Sequence, residues 1–107
     1  MSASMQRMVR DASRETRYQI ERLLRLEMRD GEIGYPVFQF DGRRKLPGIR
    51  EVIDILGPVV ASPWTIASWL TSPAAALDGR APVQILRDGR IEAVTAAARR
   101  TAEALAR

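Results

Sequence analysis

The stretch Ser62–Gly89, SPWTIASWLTSPAAALDGRAPVQILRDG, decides the fold. It holds both tryptophans, three of the six prolines and two of the seven glycines. Ser62-Pro63 reads as a helix start, with a serine N-cap and proline at the first helical position. Ser72-Pro73 reads as the same device ten residues later. Asp78-Gly79 is a turn, Pro82 opens another short helix, and Asp88-Gly89 closes it. The spacing predicts three short helices joined by tight turns.

Working outward, the segment before this stretch predicts a helix over about 49–56. Ile49, Val52, Ile53 and Leu56 share one face, and Gly57-Pro58 stops the run. After Gly89 the chain predicts a terminal helix over about 90–107. Its apolar stripe is Ile91, Val94, Ala98, Ala102 and Leu105. Alanine favours helix but buries little surface, so this helix is expected to gain little by packing on its own domain.

Further towards the N-terminus, Asp30-Gly31 between LEMR and EIGY predicts a hairpin over about 26–40, with Pro36 confining its second arm to a sheet edge. Tyr35, Val37, Phe38 and Phe40 are expected to plug the core. Apolar spacing from Met5 to Met28 predicts helix, either continuous or restarted at Ser13. The fold class expected is thus mainly α, a small helical domain with a minor β-hairpin near 26–40. It divides into an N-terminal part, 1–45, and a helical part, 46–107.

Composition narrows the function. The 107 residues contain no cysteine and no histidine. Disulfides, thiolate zinc sites, cysteine nucleophiles and histidine-based acid–base chemistry are excluded. Asp78 and Asp88 sit in Asp-Gly turns, where aspartate tends to bond its own backbone. No phosphate loop or calcium-loop spacing occurs. The expectation is a protein that is not an enzyme and takes no metal or cofactor. The absence of a long apolar run or signal-peptide core predicts no membrane association and a cytoplasmic location.

What remains is binding. The net charge is +4, and sixteen of the seventeen basic residues are arginine, Lys45 being the exception. Tryptophan and arginine are the commonest interface anchors. Five residues separate Trp64 from Trp69, which turns them about 140° apart on a helix. Trp69 is therefore expected to pack inward with Leu70 and Leu86, and Trp64 to lie nearer the surface. Seven arginines occupy the first thirty residues, interspersed with acids at helical spacing. Ser13-Arg14-Glu15-Thr16-Arg17 also resembles the opening of a DNA-recognition helix, with Arg14, Arg17 and Arg22 as candidate DNA contacts.

The central stretch resembles the toxin-binding domain of the Xre/MbcA/ParS-type antitoxins. The family pattern is a helix ending in Trp-Leu, a proline-containing turn, an apolar residue, Gly-Arg, a small residue and Pro, then Leu and Gly. Here these are Trp69, Leu70, Pro73, Leu77, Gly79, Arg80, Pro82, Leu86 and Gly89. One difference stands out: Thr71-Ser72-Pro73-Ala74 replaces a turn that often contains Pro-Asn-Pro. The resemblance covers roughly the last half of the chain.

It implies an antitoxin whose partner is a RES-domain toxin that degrades nicotinamide adenine dinucleotide. The C-terminal region would cover the toxin's active-site cleft. The candidate toxin-binding residues are Trp64, Trp69, Arg80, Arg87, Ile91, Val94, Arg99 and Arg100. Deletion from Ile91 onward is expected to abolish neutralisation. The alternative function is autoregulation of its own operon through operator DNA and the basic N-terminal segment. A homodimer is compatible with both.

Overall fold

Ser62 starts a helix by the means its position suggests. Its Oγ accepts a hydrogen bond from the Trp64 backbone N–H at 3.2 Å, and Pro63 follows at the first helical position. The computed structural model describes residues 8–10, 23–42 and 44–107. Among these, four helices run in order: α1 (Ile49–Leu56), α2 (Pro63–Thr71), α3 (Pro82–Arg87) and α4 (Ile91–Leu105). Five short strands precede them: β1 (Met8–Arg10), β2 (Leu26–Glu27), β3 (Ile33–Pro36), β4 (Phe40–Asp41) and β5 (Arg44–Lys45). The fold is mainly α with a minor hairpin, in agreement with the sequence.

The hairpin is β2–β3, antiparallel, with Leu26 opposite Gly34 and Glu27 opposite Ile33. Gly31, at φ 86°, supplies the left-handed residue that the Asp30-Gly31 turn needs. Two details depart from expectation. β3 is the central strand, because β1 pairs on its other side with Met8 opposite Pro36. Pro36 is tolerated there because it is the last residue of β3, where the missing N–H removes at most one terminal bond. The second departure concerns the two ends of the expected helix over 5–28; its middle, 11–22, lies outside the described residues. Residues 8–10 are strand, and Leu26–Glu27 are strand. Burial over Leu24–Glu27 alternates in, out, in, out. That period of two is a strand pattern, which a helical reading of the longer window concealed.

Ser72-Pro73 also behaves differently from its model dipeptide. It ends α2 and starts no helix. Ser72 Oγ donates to the Ser68 carbonyl at 2.6 Å, and Thr71 Oγ1 donates to Ala67 at 2.8 Å. The hydroxyls cap carbonyls of the outgoing helix. Beyond Pro73 the chain makes one 3₁₀ turn, Ala75–Leu77. Asp78 and Gly79 then take φ values of 57° and 78°, and Arg80 N–H bonds back to the Leu77 carbonyl at 3.1 Å. This tight reversal brings Ala74 and Arg80 into an antiparallel bridge.

α3 is framed by local bonds. Ala81 has no side-chain oxygen to cap the helix, but its own N–H donates to Gln84 Oε1 at 2.9 Å. At the other end Gly89 N–H reaches Leu86 O and Arg90 N–H reaches Ile85 O. With Gly89 at φ 81°, this is a Schellman ending.

One apolar cluster joins the two halves of the chain. It runs from Leu23, Leu24, Leu26, Tyr35 and Phe38 through Val52, Leu56 and Leu70 to Leu86, Val94 and Ala98. Each fully buried Leu, Ile or Val contributes roughly 1.5–3 kcal/mol. Of the four residues expected to plug the core, Tyr35 and Phe38 are buried and Phe40 packs against it, while Val37 stays half-exposed outside the cluster. The boundary at residue 45 is therefore not a boundary of the core.

The expectation for the terminal helix is overturned. α4 packs against α1, α3 and the 75–77 turn. Val94 is 0% exposed, and Ala97 and Ala98 are buried with it. Alanine loses little area itself but lets α4 approach the larger Ile49, Val52 and Leu56 of α1 closely. Beyond Ala98 the contact thins: Thr101 and Ala102 are half-buried, Ala102 against the core, and residues 103–107 are exposed.

Candidate interaction surface

The residues of the central stretch that carry the resemblance place their side chains in two groups. Leu70, Leu77, Pro82 and Leu86 are buried. They hold α2, the 75–77 turn and α3 against α4. Pro73, Gly79 and Arg80 are exposed. They form a loop on the side of the 75–77 turn, which itself touches α4. The motif thus builds a scaffold and leaves a short presented loop.

The two tryptophans separate as their spacing predicts. Trp69 is half-buried against the core, and its Nε1–H donates to Thr101 Oγ1 at 3.2 Å. This bond fixes the outer part of α4 to α2. Trp64 is 37% exposed, one of two large exposed apolar side chains among the described residues. Its Nε1–H donates to the Glu27 carbonyl at 3.2 Å, tying α2 to β2. The other is Leu105, 51% exposed, near the end of α4.

The four candidate arginines have different surroundings. Arg80 pairs with Asp88 at 2.6 Å, both side chains about half exposed. Asp88 thus bonds another residue's guanidinium, where the Asp-Gly turn suggested its own backbone. Arg87 donates from Nη2 to the Phe38 carbonyl at 3.0 Å and fastens α3 to the 37–39 turn. That side chain is committed to the fold. Arg99 and Arg100 are exposed on α4.

Ile91 is partly buried against the core, and Val94 is enclosed by it. Val94 therefore has no surface to offer a partner, a correction to its place among the binding candidates. Its stripe position was right for burial, and the chain's own α1 and α3 already supply the burial. Arg14, Arg17 and Arg22, with the proposed recognition-helix opening at Ser13, lie outside the described residues.

A further feature was not visible in the sequence. The outer edge of β2 and the start of α2 enclose a groove of 460 Å³ lined by Arg25, Glu27, Met28, Arg29, Pro63 and Trp64, among others. The exposed arginines gave a partial signal, but the approach of Trp64 to Glu27 spans 37 positions of sequence. Among the described residues no cluster of three or more acidic residues is placed to hold a metal ion. No helix among them is long and apolar enough to cross a membrane.

Among the described residues, Pro73, Gly79 and Arg80 of the 73–80 loop, Leu105 near the end of α4, and Trp64 are exposed. No protein-family model, no curated protein and no solved structure matches the chain.

Proposed function

We propose that the chain is the antitoxin of a two-component system and binds and neutralises a RES-domain toxin in the cytoplasm. The observation that carries this reading is the division of the motif described above. Its apolar members form the scaffold, while Arg80 and the end of α4, with Arg99, Arg100 and Leu105, stay outside the core. A surface of this kind can be inserted at the mouth of a cleft without unfolding its owner. Inhibition would be steric, with arginines meeting carboxylates or the polar groups that hold dinucleotide phosphates.

The experiment is co-expression with the product of an adjoining RES-domain reading frame, followed by size-exclusion chromatography. Co-elution with loss of toxicity supports the reading. Separate elution with undiminished toxicity rejects it. Operator binding is the second reading. It draws on the arginines of the first thirty residues and predicts a salt-dependent, sequence-specific gel shift.

A further inference from the structure

Four of the six aspartates precede glycine: Asp30-Gly31, Asp41-Gly42, Asp78-Gly79 and Asp88-Gly89. The dipeptide is chemically reactive. Glycine has no side chain to shield its amide nitrogen, which can attack Cγ of the preceding carboxyl. The N–Cγ bond forms, water leaves, and a five-membered succinimide results. Water then opens the ring. Cleavage between nitrogen and Cγ restores aspartate. Cleavage between nitrogen and the backbone carbonyl carbon gives isoaspartate, whose main chain runs through Cγ and is one methylene longer. The net composition is unchanged, and water is the only co-reactant. The attack needs a carboxyl that can swing and an amide nitrogen that no hydrogen bond holds.

Three of the four pairs are held. Asp30 Oδ1 accepts from the Glu32 N–H at 3.0 Å, and Gly31 N–H donates to the Met28 carbonyl at 2.9 Å. Asp78 is fixed at φ 57° and ψ 34°, and Gly79 N–H donates to the Ala74 carbonyl at 2.9 Å. The Asp88 carboxylate is paired with Arg80, and Gly89 N–H donates to the Leu86 carbonyl at 2.9 Å.

Asp41-Gly42 differs in each respect. It lies at the tip of β4–β5, a sheet of two strands whose last register pair is Asp41 opposite Arg44. So short a hairpin, with no third strand, opens locally at little cost. Both residues are exposed. Among the described residues the Asp41 carboxylate has no hydrogen bond or ion pair, and the Gly42 N–H has no acceptor. A Cβ on Gly42 would meet nothing within 4 Å, so the space the ring needs is open.

We infer that Asp41-Gly42 is the site at which the folded chain forms isoaspartate, and that the fold protects the other three pairs. The lengthened main chain takes Arg44 out of register with Asp41. Leu46 N–H, bonded to the Gln39 carbonyl at 2.8 Å, bounds the change on the side towards α1. The exposed product is of the class that isoaspartyl carboxyl methyltransferases accept. This modification is independent of the antitoxin reading.

The test is incubation of the full chain in warm neutral buffer, once folded and once unfolded in guanidinium chloride. Digestion with trypsin and a glutamate-specific protease then puts the four pairs on separate peptides. Chromatography against synthetic aspartyl and isoaspartyl standards reads each site. In the folded chain Asp41 is expected to convert at least about fivefold faster than each of the others, because opening one glycine N–H bond costs about 1 kcal/mol. In guanidinium chloride the four should convert at similar rates. An isoaspartyl methyltransferase should label the aged, folded chain at Asp41.

Equal rates at the four sites of the folded chain overturn the inference. So does faster conversion at Asp30, Asp78 or Asp88, or no isoaspartate at Asp41 over a time in which the unfolded chain forms it. A lead for Asp41 that persists undiminished in guanidinium chloride also overturns it, because the preference would then lie in the local sequence and not in the fold.

Discussion

The Gln39 side chain pairs with Leu24 as though it were a strand. Its Oε1 accepts from the Leu24 N–H at 2.8 Å, and its Nε2 donates to the Leu24 carbonyl at 3.0 Å. Gln39 is 0% exposed. One amide thus satisfies both backbone groups of a buried leucine fifteen residues earlier. The Gln39 carbonyl meanwhile accepts from Leu46 N–H at 2.8 Å. This one residue joins the segment entering the hairpin to the loop that leads into α1.

Gln39→Leu keeps the volume but leaves the Leu24 N–H and C=O buried and unpaired. The expected loss is about 2–4 kcal/mol, read by urea denaturation. Gln39→Glu should behave differently with pH. Only the protonated acid can donate to the Leu24 carbonyl, and burial raises its folded pKa above the unfolded value. Its stability should then be greatest at low pH and fall as pH rises through the folded pKa. A flat pH profile for this variant would show that the pair carries little of the folding energy.

Gly48 and Gly89 separate two effects of a missing Cβ. Both have positive φ, 95° and 81°. A Cβ on Gly48 would lie 2.5 Å from Leu86 Cδ2 and 3.1 Å from Ile91 Cγ2, whereas one on Gly89 would meet nothing within 4 Å. Gly89→Ala should lose about 1–2 kcal/mol from backbone strain. Gly48→Ala should lose about 1–3 kcal/mol more, because the α1 entry must move away from α3 and α4. Equal losses in thermal unfolding would mean that this contact relaxes freely.

Trp69 and Thr101 determine how far α4 stays attached. Thr101→Val removes the acceptor of the indole N–H with little change in volume. The expected loss is about 1 kcal/mol, with faster amide exchange beyond Ala98. Unchanged exchange there would assign the attachment to Ala102 packing alone.

Arg80 and Asp88 form an exposed pair, so its contribution to folding should be small. Asp88→Asn is expected to lose about 0.2–1 kcal/mol in low salt and less in 1 M salt. Arg80→Ala should likewise leave thermal stability nearly unchanged. If the antitoxin reading is right, the same variant weakens toxin binding about tenfold or more, as interface arginines do. A matching fall in stability would instead make Arg80 a folding residue.

Much of this architecture was legible where the chain carries its own local chemistry. Ser62-Pro63, Pro82 and Asp88-Gly89 each bring a specific cap, and the caps set α2 and α3. Ser72-Pro73 misled because the same two residue types can end a helix by bonding its carbonyls. The N-terminal part was harder, since strand β1 exists only by pairing with β3, twenty-four positions away at the register pair nearest in sequence, Arg10 and Gly34. The burial of Val94 depends likewise on α1, more than thirty-five residues before it. Long-range partners also decide the Gln39–Leu24 and Trp64–Glu27 bonds, which no local pattern announces. The surface residues Arg80, Arg99 and Arg100 were identifiable by type. Their freedom from the core was not.

The fold also refines how neutralisation can be probed. Deletion from Ile91 onward removes Val94, Ala97 and Ala98 and would destroy the core, so its effect on toxin binding would be indirect. Ending the chain after Ala102 keeps those residues and the Trp69–Thr101 bond while removing Leu105 and its exposed neighbours. This shorter chain should stay folded by circular dichroism.

The most direct measurement is the rate at which a purified RES-domain toxin consumes nicotinamide adenine dinucleotide as the chain is titrated in. The full chain should reduce the rate to background at a fixed molar ratio, and the chain ending at Ala102 should require at least about tenfold more. An undiminished rate in the presence of excess folded full-length chain would contradict the antitoxin account.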